Sequence, residues 1–138
     1  MVKTFSRQNK LLVLLVDDNM GFVERMKTIL DEINQIGYIN VATDFNEAWM
    51  YVNDDRPDIV LLDINLPGRN GIEILRKIRV AGHACKVIML TNHADEYYRQ
   101  LCKDLGADYF LDKSNDFSKV SGIISNIGGD GRNVSLLT

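Results

Sequence analysis

The stretch Pro57-Asp58-Ile59-Val60-Leu61-Leu62-Asp63-Ile64-Asn65-Leu66-Pro67-Gly68-Arg69-Asn70-Gly71 passes from a continuous apolar run to one carboxylate, then to a turn written in Pro, Gly and Asn. An unbroken run of Ile, Val and Leu suits a strand covered on both faces, as in a parallel sheet, because a strand with one solvated face alternates. Asp63 then sits at the carboxyl end of a buried strand. In open α/β sheets that edge, near a topological switch point, is where ligands bind. Taken alone, Asp63 fits equally well as a cap of the following turn, a common place for Asp.

Leu11-Leu12-Val13-Leu14-Leu15-Val16-Asp17-Asp18-Asn19 repeats the pattern with two carboxylates. If the two strands are neighbours, their backbones lie roughly 4.8 Å apart and Asp17, Asp18 and Asp63 converge. Like charges that close raise one another's pKa unless a cation or a proton intervenes. Hard oxygen ligands with an open side suit Mg²⁺ (or Mn²⁺), which takes few protein ligands and keeps waters for a phosphate to displace.

Between and after these strands the period changes to that of helices. Phe22, Met26, Ile29, Leu30, Ile33 and Ile36 fall on one face of a first helix that Gly37 is expected to end, and Asn19 is placed to cap it. Tyr38 to Ala42 reads as a short strand. Asp44-Phe45-Asn46-Glu47 has capping-box spacing for a second helix running to about Asn53. Gly71 is expected to supply a left-handed residue before a third helix with Ile72, Leu75 and Ile78 inward. Lys86 to Thr91 is a fourth strand, ending in a polar residue. Asp95 opens a helix carrying Tyr98, Leu101, Cys102 and Leu105, with Gly106 as its stop. Tyr109-Phe110-Leu111 is a fifth strand followed by Asp112-Lys113-Ser114. The last helix carries Phe117, Val120, Ile124 and Ile127, and Gly128-Gly129-Asp130-Gly131 reads as a breaker.

Five strands alternating with five helices predict an α/β domain with a parallel sheet, right-handed crossovers and helices on both faces. The 138 residues suit one domain over 11–128, with an N-terminal extension over 1–10 and a C-terminal tail over 129–138. A formal net charge of -3, with charges interspersed, gives no basic stripe for a phosphate backbone, so direct nucleic-acid binding is not expected. The apolar run after the polar, cationic first ten residues is too short for a membrane span and ends in two Asp residues. No signal peptide and no membrane insertion are expected. Two cysteines, Cys85 and Cys102, make neither a disulfide framework nor a metal quartet, which fits the reducing cytoplasm.

Asp17-Asp18, Asp63, Thr91 and Lys113 thus end four separate strands at one edge. With Leu66-Pro67-Gly68, Gly106-Ala107-Asp108 and Phe110-Leu111-Asp112-Lys113, this set resembles the response-regulator receiver domain (CheY-like) of two-component signalling, from about Leu11 to Ile127. The resemblance implies the flavodoxin-like, doubly wound strand order 2-1-3-4-5, which periodicity alone does not fix. It implies that Asp63 is the phosphoacceptor, taking a phosphoryl group from a phosphohistidine of a sensor histidine kinase or a histidine phosphotransfer protein. Asp17, Asp18, Asp63 and the backbone carbonyl of Asn65 would hold the metal. Lys113 and Thr91 would bind phosphoryl oxygens, and Phe110 would turn inward with Thr91 as the switch.

This sequence departs from the family at three places. Ser114 stands where the family has a proline joined to the lysine by a cis bond, which leaves the loop geometry open. Asn92 stands where a small residue is usual, and His93 follows it. Asn65, Asn92 and His93 are expected to tune dephosphorylation. With Asn92 and His93 shielding the acyl phosphate from water, a long-lived phosphoryl state is expected. His83 reads as a surface residue.

No DNA-binding or catalytic output domain is expected to fit after Gly128, so output is expected as a contact surface. The fourth helix, fifth strand and fifth helix, with Tyr97, Arg99, Lys103 and Tyr109, form the expected patch. A stand-alone regulator, a relay intermediate and a receiver excised from a longer regulator or hybrid kinase remain open. An aspartyl phosphohydrolase of the haloacid dehalogenase type is disfavoured, since it wants a second Asp two residues after the nucleophile, where Asn65 stands. A flavodoxin-like cofactor binder is disfavoured by the Asp-Asp-Asn loop, which repels phosphate without a metal.

Overall fold

A computed structural model describes residues 10–92 and 95–130. The strands are β1 (Leu11–Val16), β2 (Ile36–Ala42), β3 (Ile59–Asp63), β4 (Lys86–Thr91) and β5 (Tyr109–Asp112). The helices are α1 (Met20–Leu30), α2 (Phe45–Asp55), α3 (Gly71–Val80), α4 (Glu96–Asp104) and α5 (Lys119–Ser125). All neighbouring strands are parallel, in the order β2-β1-β3-β4-β5, as the resemblance implies. β1 and β3 are adjacent, with Val16 opposite Leu62.

The apolar runs are buried on both faces because each face has its own cover. Leu14, Val16, Val60, Leu62, Val87, Met89 and Phe110 pack with Phe45, Ala48 and Val52 of α2, with Ile72, Leu75 and Ile78 of α3, and with Cys102 of α4. Val13, Leu15, Ile59, Leu61, Ile88, Leu90 and Leu111 pack on the opposite face with Phe22, Met26 and Leu30 of α1 and with Val120 and Ile124 of α5. Residues of alternate parity thus feed two cores, as the period of two in a strand requires.

Four of the helices begin at the carboxyl edge of the sheet on a side-chain cap. Asn19 Oδ1 accepts from Phe22 N (3.1 Å), Asp44 Oδ1 from Glu47 N (2.9 Å), Asn70 Oδ1 from Ile72 N (2.7 Å) and Asp95 Oδ1 from Tyr98 N (2.9 Å). Each such cap contributes about 1 kcal/mol. Glu47 Oε1 accepts from Thr43 N (2.8 Å), one residue earlier than the strict capping box would have it.

Several local expectations are corrected. α1 stops at Leu30 rather than at Gly37. Its end tightens into turns in which Asp31 N donates to Lys27 O and Ile33 N to Leu30 O, so Ile33 is buried from a turn and Ile36 opens β2. Gly37 is the extra residue where the β1–β2 register slips, Leu11 facing Ile36 and Leu12 facing Tyr38. The helical backbone after α5 does not break at Gly128 but runs on as a π-helical stretch, Asn126–Asp130. His83 does lie at the surface, half-buried, with its ring edge-on to Trp49 and Nε2 3.2 Å from Asn53 Oδ1. Cys85 and Cys102 are both free, and burial pushes both thiols up, Cys102 to about 11, so neither is a ready nucleophile. No helix among the described residues is long and apolar enough to cross a membrane.

Candidate functional site

Four strands deliver polar side chains to the carboxyl edge. Asp17 follows β1, its N–H held by Ala42 O of β2 at 3.0 Å. Asp63 is the last residue of β3 and Thr91 the last of β4. Lys113 follows β5, with its N–H donating to Thr91 O at 3.0 Å. Asp17, Asp63, Thr91 and Lys113 are all buried, whereas Asp18 is exposed.

Asp17, Asp18 and Asp63 each offer an oxygen, and these oxygens lie within 4.8 Å of one another. The Lys113 ammonium is 2.6 Å from Asp17 Oδ2 and 3.4 Å from Asp63 Oδ2. Asp17 Oδ1 accepts from Asn19 N at 2.9 Å, and Asp63 Oδ1 from Asn65 N at 3.3 Å. Burial pushes the Asp63 carboxyl up to about 6. Lys113 and the Asn65 N–H pull it back, and the Asp17 charge adds to the rise. A buried anionic cluster with one exposed member is a donor set that fits a hard divalent cation, which would favour the ionised carboxylates.

The turn after β3 is built tightly. Gly71 N donates to Ile64 O at 2.6 Å, and Asn65 bridges to Asn70. Gly68 carries the left-handed backbone (φ 78°), so the expectation of that role for Gly71 is corrected. Gly71 is needed for a different reason: a Cβ there would meet Asp63 O at 1.9 Å. The Arg69 guanidinium lies 3.5 Å over the Phe45 ring and fastens the turn to α2.

On the other side of the site the Lys113–Ser114 peptide is trans, since no peptide among the described residues is cis. Asp112 Oδ1 accepts from the N–H groups of both Ser114 and Asn115, and Asp116 Oδ2 accepts from Asp112 N. Ser114, Asn92, Lys113, Asn19, Phe22, Arg25 and Phe117 line a concavity of about 270 Å³. Asn65 and Asn92 are exposed. His93 lies outside the described residues.

Phe110 is turned inward and 8% exposed. Met89 faces Phe110 and Thr91 faces Asp112 across β4 and β5, which puts Thr91 and Phe110 on the same face of adjacent strands. Arg99, expected simply to face outward, donates from Nη1 to Phe110 O at 3.1 Å, with its guanidinium 4.9 Å from the Phe110 ring. Tyr97 and Tyr109 are exposed, Tyr97 at 71%. Phe22 reads in the sequence only as a core position of α1, yet its ring centroid lies 4.5 Å from Lys113 Nζ. Nothing in its spacing sets it apart from Met26 or Leu30.

Three comparisons bear on this arrangement. Residues 13–125 match the family model described as response regulator receiver domain. The chain is 34% identical over 110 residues to sporulation initiation phosphotransferase F of Bacillus subtilis, covering 78% of this chain and 86% of that protein. It is 37% identical over 101 residues to the transcriptional regulatory protein CpxR of Klebsiella pneumoniae, covering 73% of this chain but only 42% of that protein. Among solved structures it is similar to a two-component response regulator of the LuxR family from Aurantimonas, with a TM-score of 0.80 and 27% identity, covering 88% of this chain and 86% of the other.

Proposed function

This chain belongs to the response regulator receiver domain family, and from that premise we propose that it is a phosphorylation switch in which Asp63 accepts a phosphoryl group from a phosphohistidine. The observation that carries the reading is the meeting of Asp17, Asp18 and Asp63 beside the Lys113 ammonium. An Asp63 carboxylate oxygen attacks phosphorus, the P–N bond to the donor imidazole breaks with its electron pair going to the ring nitrogen, and an acyl phosphate forms. Such a transfer needs positioning and charge neutralisation rather than an elaborate catalyst. Asp17, Asp18 and the Asn65 carbonyl, with Asp63, would hold Mg²⁺, which supplies that neutralisation when bound. Lys113 contributes a point cation to one phosphoryl oxygen, and Thr91 a hydroxyl donor to another.

The donor is a sensor histidine kinase or a histidine phosphotransfer protein, and the output is altered partner binding. The face formed by α4, β5 and α5 is the output surface, supported by the exposure of Tyr97 and Tyr109 and by the tie from Arg99 to Phe110. Two settings each have support among the relatives. Similarity along most of a protein named a phosphotransferase supports a relay, whereas the 42% coverage of a transcriptional regulator supports a receiver that controls an attached output.

Incubation with a small acyl phosphate and Mg²⁺ tests the reading. Stoichiometric labelling that is lost in Asp63→Asn and in the absence of a divalent cation is expected. Equal labelling of that variant, or multiple turnover in place of a stoichiometric product, would overturn it.

A further inference from the structure

We propose that Phe22 is a positioning residue: its ring face holds the Lys113 ammonium over the carboxylate cluster when Asp17 and Asp63 are engaged by other ligands. The inference rests on the receiver reading of the site. Among the described residues, the Lys113 ammonium meets three groups, Asp17, Asp63 and the Phe22 ring, and its side chain is 9% exposed. Both carboxylates are claimed during phosphorylation, Asp17 by the metal and Asp63 by the new bond to phosphorus. The ring is the one contact of the three that neither event withdraws. A cation over a desolvated aromatic face is attracted by the ring quadrupole, and more strongly where water is scarce.

The ring is held so that this contact is directional. Phe22 is the third residue of α1 and 3% exposed. Its N–H is bound by Asn19 Oδ1, and Asn19 N in turn donates to Asp17 Oδ1, so one turn of chain links the ring to the first carboxylate. Phe117 meets the ring edge-on at 5.7 Å and 75°, and the Arg25 guanidinium sits 5.7 Å from both ring centroids. Aliphatic packing alone would fill this space without attracting the ammonium.

Three proteins are compared: wild type, Phe22→Leu, which keeps an apolar side chain but no π face, and Phe22→Tyr, which keeps the π face. In the metal-free wild type, the Lys113 Hε resonances are expected upfield through the ring current, and Phe22→Leu removes that displacement. At saturating Mg²⁺ and with a small acyl phosphate, Phe22→Leu lowers the labelling rate roughly three- to thirty-fold, leaves Mg²⁺ affinity within about twofold and is rescued by Phe22→Tyr. The proposal falls if Phe22→Leu labels at the wild-type rate, if both variants are slowed alike, or if labelling and Mg²⁺ affinity decline in parallel as a general loosening would cause. A wild type that takes no label defeats the receiver reading instead. In that case the Lys113 shift still decides whether the ring holds the ammonium.

Discussion

Lys113 Nζ lies 2.6 Å from Asp17 Oδ2 but 3.4 Å from Asp63 Oδ2, so without metal the cation is held more closely by a metal-ligand candidate than by the proposed nucleophile. A divalent ion arriving at Asp17 must compete with the ammonium for the same carboxylate. The pair is almost fully buried, and removing one member of a buried pair typically costs about 3–5 kcal/mol because the other charge is left unmatched.

Lys113→Met should therefore separate two properties. Metal-free stability falls by about 3 kcal/mol, Mg²⁺ affinity rises because the competing cation is gone, and labelling by an acyl phosphate drops. Chemical denaturation and calorimetric titration read the first two. Weaker Mg²⁺ binding by this variant would show that the ammonium supports the metal site rather than competing with it.

The raised Asp63 carboxyl sets a pH dependence. With its usual value of 3.8 in the unfolded chain and about 6 in the folded one, the folded state binds the proton more tightly between these limits. This contribution to stability is present below about pH 4 and is lost as pH rises through about 6, by about 3 kcal/mol at most. Asp63→Asn should remove that slope and be the more stable protein at pH 7.5 without metal. Melting curves from pH 4 to 8 with the same slope in both proteins would refute the assignment.

Gly71→Ala and Gly68→Ala should differ in kind. At Gly68 a side chain meets nothing within 4 Å, and only the left-handed backbone is penalised, by about 1 kcal/mol. At Gly71 a Cβ would drive into the Asp63 carbonyl. Either α3 or the end of β3 has to move, at a cost of about 3 kcal/mol, with loss of Mg²⁺ binding. Urea titration of both variants would expose an error if their losses were equal.

Phe110→Tyr should shift the ring population outward, since a buried hydroxyl needs a partner that the phenyl ring does not, and should weaken binding of an output partner to the unphosphorylated form. Relaxation-dispersion NMR on β4 and β5 reads the exchange. An unchanged dispersion profile removes Phe110 from the switch.

The lifetime of the acyl phosphate is set by access of water to phosphorus. Asn92 is exposed beside the Lys113 concavity, and the expected shielding by Asn92 and His93 predicts faster dephosphorylation in Asn92→Ala and in His93→Ala. A slower, pH-independent rate in His93→Ala would show instead that the imidazole assists the water.

The two cores, the parallel sheet and the carboxyl edge were readable in the sequence because long apolar runs ending in Asp, Thr and Lys carry both a burial and a direction. Single-residue causes were not. Gly71 looked like a residue needed for its backbone angle, but its requirement comes from the Asp63 carbonyl eight positions earlier, a contact that exists only once the turn has closed. The end of α1 at Leu30 depended on how tightly the next six residues must turn to bring Ile36 against Leu11. Phe22 followed the period of its helix like any core residue, and only the tertiary fold brings Lys113 over its ring.

Asn70 and Gly71 form the dipeptide in which asparagine most readily loses its side-chain amide, because the following unhindered nitrogen can attack the side-chain carbonyl and close a cyclic imide. In this fold that nitrogen is committed to Ile64 O, and the Asn70 side chain is committed to Ile72 N. The hydrogen bonds that shape the turn therefore also preserve it chemically. The clock runs in the unfolded chain: isoaspartate formed there inserts an extra backbone atom just before a glycine that has no room to shift, so aged or repeatedly denatured protein should accumulate a fraction that no longer refolds around Asp63.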